Sequence, residues 1–359
     1  MVVKLGIAVL NFGGPRNGEE LVPFLTELLT DVLPGPMMLK KLVAPYIARS
    51  RSKLVGPNYE QIGWSPLVEI HDQQIAALKA ELAPGQIVAS GMMFTPPTMD
   101  QCAADLVGQG VEAIIAISMF PHYSLATTHT AYSFFHEALV RAGAGDLPVH
   151  WIPAWFDHPL YISALAATIR AGVDALPGDG PIDLLFTPHG LPLSFVHRGD
   201  PYPDQIRETV RRVIDHMSWT DPWHLGWQSR VGPVEWLSPS TPQMLDRLAA
   251  MDRKRVLLVP ISFVSEHIET LHEIDIEYRE LAQNAGILHY GRAPALGLQP
   301  DFIRCLADRI ADAETHMDRY LCVRCLHPKD DEHKRRKACS ACKFQMPAYL
   351  RESRYPSAS

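Results

Sequence analysis

RVLLVPISFVSEHIETLHEIDIEY (residues 255–278) decides how this chain folds. Its first ten residues are apolar without alternation, the pattern of a strand covered on both faces. A polar segment follows at once, with Glu269, Glu273 and Glu277 four residues apart behind His267. On an α-helix that spacing stacks three carboxylates one turn apart, where like charges at i,i+4 repel by roughly a few tenths of a kcal/mol. The segment is therefore either a wet acidic face or a line of carboxylates that handles protons or a cation.

Three more runs share the strand pattern: LGIAVL (5–10), EAIIAISMF (112–120) and IDLLFTP (182–188). Helical patterns lie between them, among others over 69–82, 203–217 and 238–251, and this alternation predicts an α/β fold with mostly parallel sheets. The strand ends repeat. AVLNFGGP (8–15) echoes LLFTPHGLP (184–192), and IIAISMFPHYS (114–124) echoes LLVPISFVSEH (257–267). Two similar halves are expected, 1–175 and 176–315, with a cleft between them. The repeated turns would lie at the carboxyl edges of the sheets, where open α/β folds bind ligands. His189 and the acidic segment would both face that cleft. A histidine opposite a carboxylate in an apolar cleft can take or pass protons near neutral pH, or hold a divalent cation briefly.

The 359 residues, 47% apolar and 20% charged, are enough for a full core, and a net charge of −7 argues against nucleic acid as a partner. No run approaches the length of a membrane-spanning helix, and MVVKLGIAVLNFGG reads as a buried strand rather than a signal peptide. A cytoplasmic protein with reduced thiols is expected. In 19–53, Leu21, Phe24, Leu25, Leu28, Leu29 and Val32 follow a helical core period. Beyond Pro36, Met37, Met38, Leu39, Leu42 and Val43 stand among Lys40, Lys41, Arg49, Arg51 and Lys53. Residues 36–53 thus suit a peripheral membrane contact, the lip of an apolar cleft, or an ordinary packed helix.

Cys102 and Cys305 sit alone in helical patterns, as small core residues do. The other four cysteines form CVRC (322–325) and CSAC (339–342), thirteen residues apart. In a reducing compartment, Cys322, Cys325, Cys339 and Cys342 read as a metal site rather than disulfides. Residues 319–343 carry eight Lys or Arg against three acids and no apolar period, so a metal would hold the 316–359 tail together.

HExxH, GxSxG, GxGxxG and GxxxxGK[ST] are all absent, which leaves chemistry that moves protons and metal rather than phosphate or acyl groups. At this point the chain resembles the ferrochelatases, lyases of haem biosynthesis that insert ferrous iron into a porphyrin. LNFGGP, SPL (65–67), LLFTPHGLPLSFVHRGDPYP, WQSRVGPVEWLSPST and ISFVSEHIETLHEIDIEYRELA carry the resemblance over about 5–310. It implies two Rossmann-like, chelatase-type halves and protoporphyrin IX and Fe²⁺ as substrates. By the same resemblance, His189 and Glu269 face each other across the macrocycle and escort the iron. Glu273 and Glu277 extend a path for protons or Fe²⁺, and His158, with Asp308, takes part in proton or metal traffic. Phe12, Tyr123 and Trp236 become walls for the ring, and Arg51, Tyr59 and Ser65 its propionate rim. The usual Gly-Gly-x-Ser-Pro is shortened to Gly63-Trp64-Ser65-Pro66, and Met92-Met93 replaces the common Arg-Tyr, so the rim is expected to differ. Some ferrochelatases hold a 2Fe–2S cluster near the C-terminus, with one ligand in animal forms at the position of Leu125. The four tail cysteines suit such a cluster or a structural zinc. A chelatase for coproporphyrin or another tetrapyrrole, and a non-catalytic haem carrier or iron sensor, are the alternatives. Oligomeric state is not legible.

Overall fold

The structure, a computed structural model, describes residues 3–230 and 232–315. The four expected runs form the two inner strands of two sheets: β1 (Leu5–Asn11) and β3 (Ala113–Ser118), then β5 (Asp183–Phe186) and β7 (Arg255–Val259). Outer strands are β2 (Ile87–Met92), β4 (Val149–Ile152), β6 (Trp223–Leu225) and β8 (His289–Arg292). All pairings are parallel, and the orders β2-β1-β3-β4 and β6-β5-β7-β8 are the same pattern twice. The sequence echoes therefore fall on equivalent strands, β1 with β5 and β3 with β7.

Alternate residues of each inner strand enter different cores, which is why no polar residue interrupts them. Ile7, Val9, Ile115 and Ile117 share one buried cluster with Leu184, Phe186, Leu257 and Val259, joining the two sheets. Their neighbours Ala8, Leu10, Ile114 and Ala116 face a second cluster, and Leu185, Val256 and Leu258 a third. The helix Pro300–Thr315 packs on the helices Leu67–Glu81 and Pro159–Ala175, so the last described helix returns to the first half. Cys102 and Cys305 are buried free thiols, as expected.

Several local expectations need correction. Leu21, Phe24, Leu25 and Leu29 are buried in the helix Gly18–Val32, but Val32 is 61% exposed because the helix ends there. The run 255–264 is a strand only to Val259, since Pro260 cannot donate to a ladder. Residues Glu269–Tyr278 form a π-helix, not the α-helix assumed for the carboxylate spacing. A π-turn bonds i to i+5. Side chains five apart therefore pair: His272 Nδ1 lies 3.3 Å from Glu277 Oε1, and the Tyr278 hydroxyl donates to Glu273. Residues 316–359, with all four tail cysteines, lie outside the described residues.

Candidate active site

β5 ends at Phe186, and Thr187-Pro188-His189-Gly190 turns away at its carboxyl edge. Three backbone or side-chain contacts fix the histidine. Its N–H donates to Ser262 Oγ at 3.1 Å, its carbonyl accepts the Tyr202 hydroxyl at 3.1 Å, and Nδ1 lies 2.8 Å from Glu269 Oε2. Both side chains stay partly open, His189 39% and Glu269 29% exposed. An ionised carboxylate only accepts, so the proton sits on Nδ1 and Nε2 is the nitrogen left for a ligand.

The pair polarises itself. Burial alone would raise Glu269, but the His189 charge and hydrogen bond, with His267 and Ser229, hold it at about 2. Burial would lower His189, and Glu269 overrides it, so the imidazole's value is raised. Glu273 goes the other way from Glu269: burial and the Glu269 charge raise it. Two carboxylates one turn apart are thus split into an ionised partner for His189 and a group that holds a proton more readily.

Three acids in a row are tolerated because each has its own partner. Glu269 has His189, and also lies 3.4 Å from Gln228 Nε2. Glu273 accepts the Ser229 N–H at 2.9 Å and the hydroxyls of Ser229 and Tyr278. Glu277 reaches solvent beside His272, whose Nε2 lies 3.2 Å from Gln61 Oε1 on the helix Met37–Gln61. Sequence reasoning missed Gln228, Ser229, Tyr278 and His272. Ser229 takes φ +60, the left-handed region, which turns both its N–H and its hydroxyl toward Glu273. His267 caps the π-helix, its Nδ1 accepting the Glu269 N–H at 3.0 Å.

The other expected residues divide. Trp236 closes on Gly190, where a Cβ would meet its ring at 3.2 Å, and a cavity of about 60 Å³ beside it is also lined by Gln228 and Arg230. Phe12 is half-buried among Phe24 and Phe94. Tyr59, stacked on Trp64 at 6.0 Å, lies near enough to feel the Glu269 charge. Trp64 itself has φ +73, a strained conformation for a bulky residue, in the shortened Gly63-Trp64-Ser65-Pro66 turn. Ser65 is buried against Gly14, and Arg51 is exposed on the helix Met37–Gln61. Tyr123 is 0% exposed, so its ring stands inside the first-half core. Met92 and Met93 are buried as well. His158 caps the helix Pro159–Ala175 through Nδ1, 3.3 Å from the Leu160 N–H. It feels the charges of Arg309 and Asp308, but no contact among the described residues joins it to His189 or Glu269.

The family model of ferrochelatase matches residues 4–314. The chain belongs to the ferrochelatase family. A ferrochelatase of Geobacter metallireducens is 41% identical over 317 residues, covering 87% of this chain and 99% of that protein. One from Synechococcus sp. strain RCC307 is 38% identical, over 86% of this chain and 82% of its own. Among solved structures, the sirohydrochlorin chelatase SirB of Bacillus subtilis subspecies spizizenii, with cobalt, superposes with a TM-score of 0.53. It is 10% identical and covers 88% of this chain and 97% of its own. SirB from Bacillus subtilis with Fe³⁺ gives 0.56 at 11% identity, over 86% and 95%. At such identity the likeness to the SirB structures concerns the fold, two parallel α/β halves. Ferrochelatase membership makes this protein an enzyme of haem biosynthesis that inserts ferrous iron into a porphyrin.

Proposed function

We propose that the protein inserts Fe²⁺ into protoporphyrin IX, releasing two protons, with His189 and Glu269 as the reacting pair. The 2.8 Å contact between His189 Nδ1 and Glu269 Oε2 carries this reading, because it keeps the Nδ1 proton toward Glu269 and makes Nε2 the nitrogen that is basic at the strand edge once the imidazole is neutral. Each pyrrole N–H must give up its proton as the metal takes the nitrogen lone pair, so a base must stand against the ring. Glu269 orients the imidazole and compensates the charge it gains. Glu273, already raised toward holding a proton, receives the next one, and His272 with Glu277 leads to solvent. Iron is the substrate on this route, escorted rather than kept.

Trp236 and Phe12 serve as ring walls, Tyr123 backs the Phe12 wall from the buried cluster on which Phe12 packs, and Arg51, Tyr59 and Ser65 mark the propionate side. His158 keeps an outer role in proton traffic beside Asp308. Residues 1–175 and 176–315 act as the two jaws. The helix Met37–Gln61 exposes Met37, Met38, Leu39, Leu42, Val43 and Tyr46 next to Lys40 and Lys41, which supports a peripheral contact with a membrane surface in the cytoplasm. Among the described residues no helix is long and apolar enough to cross a membrane. For the tail we propose a 2Fe–2S cluster on Cys322, Cys325, Cys339 and Cys342. Four thiolates also suit zinc, and metal analysis with visible absorption separates the two.

Anaerobic Fe²⁺ insertion, followed by absorbance with protoporphyrin and coproporphyrin side by side, tests the reading. Turnover of protoporphyrin is expected, together with its loss in His189→Ala. Turnover of coproporphyrin alone would reassign the ring, and binding of both rings without turnover would favour a haem carrier.

A further inference from the structure

Asp200 takes no part in the chemistry proposed above, yet it is 2% exposed and both its oxygens are occupied. Oδ2 accepts the Ser124 hydroxyl and the Leu125 N–H, each at 2.8 Å, and Oδ1 accepts the Tyr202 N–H at 3.0 Å. Ser124 and Leu125 belong to the loop after β3 in the first half. Asp200 and Tyr202 belong to the segment after β5 in the second. The same loop is tied once more by the Tyr123 N–H, which donates to Gln205 Oε1 at 2.7 Å. On the other side, the Tyr202 hydroxyl holds the His189 carbonyl. One carboxylate therefore stands at the crossing of both halves and two residues from the histidine's anchor.

A clamp that only held two loops together could be built from apolar residues, often at no cost in stability. A carboxylate is the acceptor-only group that can gather three donors from two directions. Burial raises the Asp200 carboxyl, and its three donors and the Arg198 charge oppose that. The group is thus a desolvated hub that satisfies others at some expense to itself. We propose that Asp200 is a positioning residue for the reaction: it locks the Ser124–Leu125 loop to Tyr202 and so sets where His189 stands against the first-half wall. The inference rests on the reading of His189 as a reacting group.

Asp200→Asn keeps the size but turns one acceptor into a donor that must face an N–H or O–H. Ser124→Ala removes one donor and leaves the carboxylate. The measurements are kcat and KM for protoporphyrin with Fe²⁺, melting temperature, and the binding of protoporphyrin and of N-methylprotoporphyrin, whose ring is bent out of plane. In Asp200→Asn, kcat should fall by about tenfold or more, since roughly 1 Å of misplacement can cost 10²-fold. KM and protoporphyrin affinity should hold within about twofold, while affinity for the bent ring falls with kcat. Ser124→Ala should lie between the two. An unchanged kcat in folded Asp200→Asn overturns the proposal, and so does a parallel loss of kcat, both affinities and melting temperature. If Asp200→Asn does not fold, Ser124→Ala decides, and an unchanged kcat there overturns the proposal. Full turnover in His189→Ala is a separate failure: it removes the site reading, and this inference with it.

Discussion

Gly190→Ala places one methyl group at a crowded point beside His189. Its carbon would lie 2.8 Å from the Gln228 carbonyl oxygen and 3.2 Å from Trp236 Cε3, where ordinary contact begins at 3.4 Å. The carbonyl cannot simply retreat. It accepts the Gly190 N–H at 2.8 Å, and Gln228 is buried with its amide between Thr187 and Glu269. Trp236 is tied to the same turn by its backbone bridge to Pro192. The turn must therefore give by roughly half an ångström, an overpacking strain of about 1–3 kcal/mol. His189 is the adjacent residue, so the displacement reaches its contact with Glu269. On the scale of about 10² per ångström, kcat should fall on the order of tenfold. Anaerobic iron insertion at saturating protoporphyrin, with a thermal melt of the same preparation, reads both effects. Wild-type kcat at an unchanged melting temperature would refute the reasoning. A lowered melting temperature with full kcat would show that the strain goes into Trp236 and spares His189.

The remaining predictions concern protons. Glu269→Gln removes the charge that raises His189 and leaves burial, which lowers it, so the acid limb of kcat/KM should move to lower pH while the rate falls. A limb that stays in place would break the proposed pairing. Glu273→Gln keeps an acceptor for the Ser229 N–H but cannot carry a proton; kcat should drop by about 10² with the melting temperature nearly unchanged, and an unaffected kcat would remove Glu273 from the proton path. Burial pushes His71 down to about 4 from 6.5. The unfolded chain therefore takes that proton first. The stability this provides is complete above pH 6.5 and is lost as pH falls toward 4, up to about 3 kcal/mol. Urea titrations across that range should show a shallower loss in His71→Gln, and equal slopes would contradict the assignment.

The inner strands were legible because both their faces are buried, which forces unbroken apolar runs such as Ile114–Ile117. The outer strands were not: β6 is Trp-His-Leu and β8 is His-Tyr-Gly-Arg, too short and mixed to stand out from loop. His189 and Glu269 could be picked out because each follows an apolar strand that announces its own end. Ser229 and Gln228 could not, since what brings them to the acids is a left-handed backbone angle and a loop crossing from β6. The π-helix was hidden for a related reason. Its i,i+5 pairs, His272 with Glu277 and Glu273 with Tyr278, look like no pairs at all when read at α-helical spacing. Ser65 and Tyr123 illustrate the converse, for a family motif fixes residue type and leaves depth to the packing around it.

Because the two sheets have one strand order, the chain offers the same address twice. Immediately after the first strand of one copy stands Phe12, an inert ring, and in the corresponding turn of the other stands His189, a titratable one. Duplicated scaffolds can divide labour in this way. On the proposed roles, changes near Phe12 would tune the shape of what is gripped, and changes near His189 which ion is exchanged. Substitutions far enough apart to share no contact combine almost additively. With Phe12 as ring wall and His189 as ion exchanger, as proposed above, ring selectivity and metal selectivity would be two separate dials on one small enzyme.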